Sequence, residues 1–114
     1  MSEAVLNPSK VSRAGVMLIK SFEGFRPRAE RRADGAWVIG YGHTVSAREG
    51  GSVSEPDAEL LLQYDRIPVV RAIREAVTAP LNGHQFDALA SFAFSVGVEQ
   101  FRVSDVLVLI NAGK

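Results

Sequence analysis

The chain has 114 residues, of which 46% are hydrophobic, so it has the length of one domain and enough apolar side chains for a folded core. Its 13 Lys and Arg side chains balance 13 Asp and Glu, so net charge gives no argument for binding to nucleic acid or to a membrane surface. Cysteine is absent, which excludes disulfides and thiolate metal sites. No leader peptide and no run near the ~18 apolar residues of a membrane span is visible, so no membrane segment is predicted.

The N-terminal part is predicted to be an arm followed by a helix. Residues 1–8 are expected to be flexible, and a helix should begin after Ser9 or Ser12, since either serine can cap it. Gly24 is the expected end of that helix. Glu23 should therefore lie on the last helical turn, held by packing and facing outward.

The next stretch has the composition of a small hairpin. Asp34-Gly35 is typical of a tight turn, and 37–41 has strand composition. The upstream strand, 26–32, is irregular in character because it contains Pro27 and several charges. Four of those charges are arginines, which could contact acidic partners or anionic cell-wall polymer, or could simply form a solvated strand face.

A long helical pattern follows the hairpin. Ser54 is a plausible N-cap, and acidic residues occupy the first turn after it. Pro68 lies inside the pattern and is predicted to kink or break the helix near Arg66. A second helical segment should then continue until Pro80.

Two more helices are predicted in the C-terminal third. Asn82 and Gln85 form a capping pair before a strongly apolar segment that Gly97 closes, which indicates the central core helix. Ser104 should cap a last helix that ends near Asn111.

Several motifs in this order resemble one known family. The segment 19–26, which contains Glu23, precedes Ile-Gly-Tyr-Gly-His-Thr at 39–44, and further matching stretches lie at 80–89 and 91–97. Together they resemble the phage-type lysozymes, glycoside hydrolase family 24, which cleave the glycan strands of peptidoglycan.

This resemblance implies a fold and a domain organisation. The fold would be α+β and mainly helical, a lysozyme-like architecture with a small β-hairpin lobe and a helical lobe. Residues 9–114 would form the domain, C-terminally incomplete because the family continues for further helices. Without those helices, apolar surface should be exposed.

The resemblance also implies a catalytic pattern, in which Glu is followed by eight residues, Asp, five residues and Thr. Aligned without a gap, the pattern places Glu23 on the general acid, Arg32 on the Asp and Val38 on the Thr. A guanidinium stays protonated and cannot act as the general base. If Arg32 lies near Glu23 it should also lower the pKa of that acid, whereas if it points into solvent only the base is missing. Val38 keeps the shape of threonine without its hydroxyl.

A displaced carboxylate could in principle replace the missing base, with Asp34 or Glu30 as the candidates. The turn character of Asp-Gly argues against Asp34. The glycine-rich motif is predicted to lie beneath the sugar cleft; it comprises Gly40, Tyr41, Gly42 and His43. His43 is expected to be a structural hydrogen-bonding residue. No metal site or cofactor is predicted, since neither His43 nor His84 has neighbours at ligand spacing.

A narrower resemblance is carried by 33–37, Thr44 and 47–50. These stretches are similar to degenerate muramidase domains of bacterial cell-pole and stalk localisation factors. That similarity implies lost or reduced hydrolysis, self-association and protein partners at the cell pole, with peptidoglycan glycan as a further candidate ligand. It also implies a cytoplasmic or inner-membrane-anchored protein, the periplasm remaining open.

Two other functions are compatible with the same residues. One is an active lysozyme that uses Glu23 as general acid to cleave between N-acetylmuramic acid and N-acetylglucosamine. The other is a domain that binds the glycan without cleaving it.

Overall fold

The computed structural model describes residue 8 and residues 10–113. Two strands and five helices follow one another there: α1 (Arg13–Glu23), β1 (Arg26–Arg31), β2 (Trp37–Gly40), α2 (Glu55–Ala76), α3 (Gly83–Val96), α4 (Val98–Arg102) and α5 (Asp105–Asn111). The predicted α+β, mainly helical class is confirmed. Within this part of the chain, no helix has the length and apolar character needed to cross a membrane.

The chain forms two compact units. One comprises Lys20–Arg66 and contains the hairpin. The other combines the described residues up to Ile19 with those from Ile67 onward, and contains three complete helices. All predicted catalytic and cleft residues belong to the first unit. The predicted arm, 1–8, lies outside the described residues except for Pro8.

Helix α1 begins and ends at the residues that the sequence indicates. The Ser12 hydroxyl accepts a hydrogen bond from the Gly15 N–H at 3.2 Å, which makes Ser12 the N-cap. The alternative cap, Ser9, lies outside the described residues. At the other end, Gly24 has a φ of +71° and donates to the Lys20 carbonyl. Glu23 is therefore the last helical residue.

The hairpin is antiparallel and irregular, as predicted. Glu30 pairs with Val38 and Arg31 with Trp37, but the register shifts between Arg26 and Glu30. Pro27 lies in the shifted part. The outer edge of β1 is covered by residues 51–53, which form backbone hydrogen bonds at 2.8 and 2.9 Å with this stretch. The loop thereby satisfies backbone groups that the irregular strand would otherwise expose.

Helix α2 differs from its prediction. Ser54 caps it, accepting from the Asp57 N–H at 3.3 Å. The predicted break near Arg66 is wrong, because a single helix runs through Pro68 to Ala76. Proline has no N–H to donate to the carbonyl of Tyr64, four residues earlier in the helix. Because Pro68 is exposed, water can bind this carbonyl instead, and the helix tolerates the missing hydrogen bond.

Helix α3 supplies much of the core of the second unit. Asn82 and Gln85 form the predicted capping box, with both reciprocal hydrogen bonds present. Its buried side chains are Phe86, Asp87, Leu89, Ala90, Ser91 and Ala93. Asp87 accepts hydrogen bonds from the backbone N–H and the hydroxyl of Ser12, so this buried carboxylate holds the start of α1.

The last two helices include one that the sequence did not indicate. Helix α4 has five residues and is anchored by Phe101, which is fully buried. Helix α5 has the predicted cap, since the Ser104 hydroxyl accepts from the Leu107 N–H at 3.2 Å. Val103, Val108 and Leu109 are exposed.

Candidate active site

Glu23 lies where the helix end and the glycine-rich loop meet. Gly42 has a φ of +81°, and a Cβ at that position would be 2.5 Å from Glu23 Oε1. Glycine is therefore favoured at 42 by the backbone conformation, and its lack of a side chain leaves room for the carboxylate. The loop backbone covers part of Glu23 and leaves the rest accessible.

The environment of Glu23 raises its pKa above the ordinary value. Partial burial of the carboxyl group is the largest cause, and it outweighs the charges of Arg26 and Arg32, which lower the pKa. Of the two alternatives for Arg32, its charge does lower the pKa of Glu23, but the net shift is upward because burial outweighs it. Glu23 thus keeps the tendency to hold a proton that a general acid needs.

Arg26 links three parts of the site. One guanidinium nitrogen donates to the backbone carbonyl of Glu23 at 2.8 Å, and Nε donates to Glu30 at 3.3 Å. The first contact satisfies a carbonyl at the C-terminus of α1, where a cation is favourable. The second occupies Glu30, one of the two candidate replacement bases. This role of Arg26 was not predicted from the sequence, although an arginine three residues after the last helical residue is a recognisable signal.

Arg32 and Asp34 form an ion pair. Arg32 Nη2 lies 2.8 Å from Asp34 Oδ2, and the other oxygen of Asp34 accepts from the Ala36 N–H at 3.0 Å. Both contacts stabilise the carboxylate, so the pKa of Asp34 lies below its usual range. Asp34 is exposed on the turn. A weakened base whose two oxygens are occupied offers little support for the rescue hypothesis.

Val38 and the glycine-rich motif are mostly enclosed. Val38 is 3% exposed, Tyr41 8% and His43 6%, so these side chains pack inside the unit. The Tyr41 hydroxyl donates to Glu55 at 2.7 Å, and the Lys20 ammonium lies 4.9 Å from the centre of its ring. Gly42, one of the predicted cleft residues, is placed against Glu23. The assignment of the motif to a sugar cleft stays a prediction.

His43 has the structural hydrogen bonds expected of it. Its Nδ1 lies 2.8 Å from Asp65, and its Nε2 accepts from the Ser46 N–H at 3.2 Å. These contacts hold the imidazole between α2 and the loop after β2. Among the described residues, no three His, Cys, Asp or Glu side chains are grouped so that they could hold a metal ion.

Comparison with known proteins identifies the group of proteins to which this fold and site belong. The phage lysozyme family matches residues 20–114, which is most of the chain. The chain belongs to the phage lysozyme family. It is 34% identical over 103 residues to an endolysin of Acyrthosiphon pisum secondary endosymbiont phage 1, covering 90% of this chain and 70% of the endolysin.

Solved structures of family members have the same architecture. The muramidase domain of SpmX from Asticaccaulis excentricus is 55% identical, with a TM-score of 0.87 over 93% of this chain and 72% of that one. A P22 lysozyme mutant is 32% identical, with a TM-score of 0.76 over 91% of this chain and 75% of that one. The lysozyme-like fold and the similarity to the muramidase domain of SpmX are therefore confirmed.

Proposed function

We propose that this domain is a degenerate muramidase domain, with lost or strongly reduced peptidoglycan hydrolysis, that serves protein–protein interaction, self-association and polar localisation. The observation that carries the proposal is Arg32, a permanent cation on the position that the catalytic pattern gives to Asp. Hydrolysis with inversion needs a carboxylate that activates water, and a guanidinium cannot accept its proton. The similarity to the SpmX muramidase domain supports the muramidase part of the proposal.

The neighbours of Arg32 support the loss of a base. Asp34 is bound to Arg32 and to a backbone N–H, and Glu30 is bound to Arg26. Asp34 would have to leave its partners before it could accept a proton from water, and one of the two Glu30 oxygens is held by Arg26. Val38 offers no hydroxyl to hold that water.

A second candidate function is an active lysozyme, and the environment of Glu23 favours it. Burial raises the pKa of this carboxyl group, as a general acid requires, and Gly42 leaves room for it. A pseudoenzyme has no need of such tuning. The retained acid could instead reflect a site that still binds glycan.

Dye release from labelled insoluble peptidoglycan tests hydrolysis. We expect the domain and its Glu23→Gln variant to release dye equally, at background, while P22 lysozyme releases it readily. General-base catalysis alone contributes ~10²–10⁴-fold, so its loss is easily measured. Release by the domain that disappears in Glu23→Gln would overturn the proposal and support the active lysozyme.

Binding and assembly need separate measurements. Sedimentation with insoluble peptidoglycan distinguishes a glycan-binding domain from one that has lost the ligand altogether. Analytical ultracentrifugation across a concentration series tests self-association, for which we expect the mean mass to rise with concentration. A fluorescent fusion in a stalked bacterium tests localisation, and uniform fluorescence would count against the polar role.

A further inference from the structure

Helix α2 has an apolar stripe on its exposed face. Leu60, Tyr64 and Ile67 are 55%, 70% and 52% exposed, respectively, and they follow one another at intervals of four and three residues. Single exposed apolar side chains are ordinary, but three at helical spacing form a continuous strip along one face. The opposite face of the helix is the buried one, with Ala58, Leu62, Val69, Ala72 and Ile73.

Charged residues extend this strip at both ends. The same spacing leads to Asp57 toward the N-terminus and to Arg71 and Arg74 toward the C-terminus, and all three are exposed. We call positions 57, 60, 64, 67, 71 and 74 the α2 stripe; their steps of three and four are those of the a and d positions of a coiled coil. Within the described residues, neither Asp57 nor Arg74 takes part in an ion pair. The α2 stripe is therefore acidic at one end, apolar in the middle and basic at the other end.

We propose that two copies of this chain associate through the α2 stripe, as an antiparallel pair of α2 helices related by a twofold axis. The inference rests on the self-association in the proposed function, and it assigns that self-association a surface and an orientation. In an antiparallel pair the a positions lie opposite d positions, so Tyr64 faces Ile67 of the second copy and Asp57 faces Arg74 of the second copy. The twofold axis makes each of these contacts occur twice.

The charges decide the orientation of the pair. In a parallel pair each residue would face its own copy, so two Asp57 carboxylates and two Arg74 guanidinium groups would repel one another. Antiparallel pairing replaces these contacts with two attractive ones. It also places Leu60 opposite Arg71, whose alkyl stem can cover the leucine while the guanidinium stays in water.

The length of the α2 stripe limits the strength of the dimer. Its ends, Asp57 and Arg74, are about 26 Å apart along a helix. Paired helices of this length bury an area no larger than the ~1,200 Å² at which stable interfaces begin. The expected dimer is therefore weak and depends on the concentration of the protein.

Sedimentation equilibrium of matched variants tests the apolar part of the surface. Ile67→Asp and Leu109→Asp each place a carboxylate where an aliphatic side chain is about half exposed on a helix, at 52% and 53%. We expect Ile67→Asp to raise the dissociation constant of the dimer at least ~10-fold, and Leu109→Asp to leave it unchanged.

A charge swap tests the orientation. Arg74→Asp places two carboxylates opposite one another and should weaken the dimer several-fold, whereas the double variant with Asp57→Arg and Arg74→Asp should recover the wild-type dissociation constant. Circular dichroism checks that each variant is folded, since both changes oppose the dipole of α2. A folded double variant as weak as the single one would overturn the antiparallel pairing.

The remaining outcomes separate this inference from the proposed function. A dimer of unchanged strength in folded Ile67→Asp would overturn the inference. Loss of the dimer in Leu109→Asp alone would place the contact on α5, which overturns the inference and leaves the proposed self-association standing. A wild-type chain that is monomeric at every concentration would overturn both.

Discussion

The contact between Gly42 and Glu23 predicts how a single methyl group changes the acid. In Gly42→Ala the new Cβ would collide with Glu23 Oε1, the flexible end of that side chain. We expect the carboxyl group to move toward solvent, which removes part of its burial. Since burial is the largest cause of the raised pKa, the pKa of Glu23 should fall. A carboxyl-detected NMR titration measures it.

Gly50→Ala is the control for backbone strain in that experiment. Gly50 has a φ of +80°, close to that of Gly42, and its Cβ would meet open space. Both variants should lose about 1–2 kcal/mol of unfolding free energy from the left-handed backbone alone. An equal pKa of Glu23 in the two variants would show that Gly42 does not confine the carboxyl group.

Arg32 and its neighbour Arg31 allow a similar comparison of charge. Arg32 lowers the pKa of Glu23, so Arg32→Gln should raise it further. Arg31 is also exposed but is not among the causes of the shift, so Arg31→Gln should leave the pKa unchanged. The same titration gives both values. Similar pKa shifts in the two variants would indicate that Glu23 responds to the overall positive charge of this strand and not to Arg32 in particular.

The raised pKa of Glu23 also predicts a pH dependence of stability. Folding favours the protonated carboxyl, so this stabilisation is complete below the ordinary pKa of 4.5 and is lost as pH rises through the folded pKa. Glu23→Gln should therefore be more stable than wild type near neutral pH, by less than about 1 kcal/mol because solvent screens a half-exposed group. Urea unfolding at pH 4 and pH 7 measures the difference. A larger gain at pH 4 than at pH 7 would contradict the sign.

At the scale of helices, α2 contains two prolines in different positions. Pro56 lies in the first turn, where the missing N–H costs nothing, while Pro68 lies in the interior. Proline is ~3 kcal/mol less favourable than alanine inside a helix. We expect Pro68→Ala to stabilise the protein by about 1–3 kcal/mol and Pro56→Ala to change stability by less than about 0.5 kcal/mol, measured by urea unfolding. Equal effects would mean that Pro68 contributes stability to α2 that offsets the missing backbone hydrogen bond.

The helices could be predicted from sequence wherever a cap marks their ends. Ser12, Ser54, Asn82 and Ser104 are such caps, because a side-chain oxygen that satisfies orphan N–H groups is a local signal. Pro68 misled the prediction, since tertiary packing on either side of it outweighs a local penalty. Helix α4 has one buried anchor in five residues and no side-chain cap, so no periodic pattern could show it.

At the scale of the whole molecule, the identities of the site residues came from motif spacing, but their interactions did not. The spacing from Glu23 to Arg32 is a property of the chain. The proximity of Gly42 to Glu23, and of Asp65 to His43, depends on contacts across 19 and 22 positions. The sign of the Glu23 pKa shift followed from such contacts, because burial cannot be read from neighbouring residues.

Restoring the family pattern is the strongest test of how much of a lysozyme remains. Arg32→Asp removes a cation that lowers the pKa of Glu23 and supplies a carboxylate at the base position, so both acid and base functions should improve. Val38→Thr restores the hydroxyl but places it at a site 3% exposed, where it costs ~1–3 kcal/mol unless it finds a partner.

We expect the double variant to release dye from peptidoglycan at least ~10²-fold above the wild-type background. Adding Glu23→Gln should abolish that release, which ties the gain to the inherited acid. The control is Arg31→Asp, which adds the same charge one residue away and should stay at background. A folded double variant that remains inactive would mean that the site has lost more than its base, and that the cleft no longer positions the glycan.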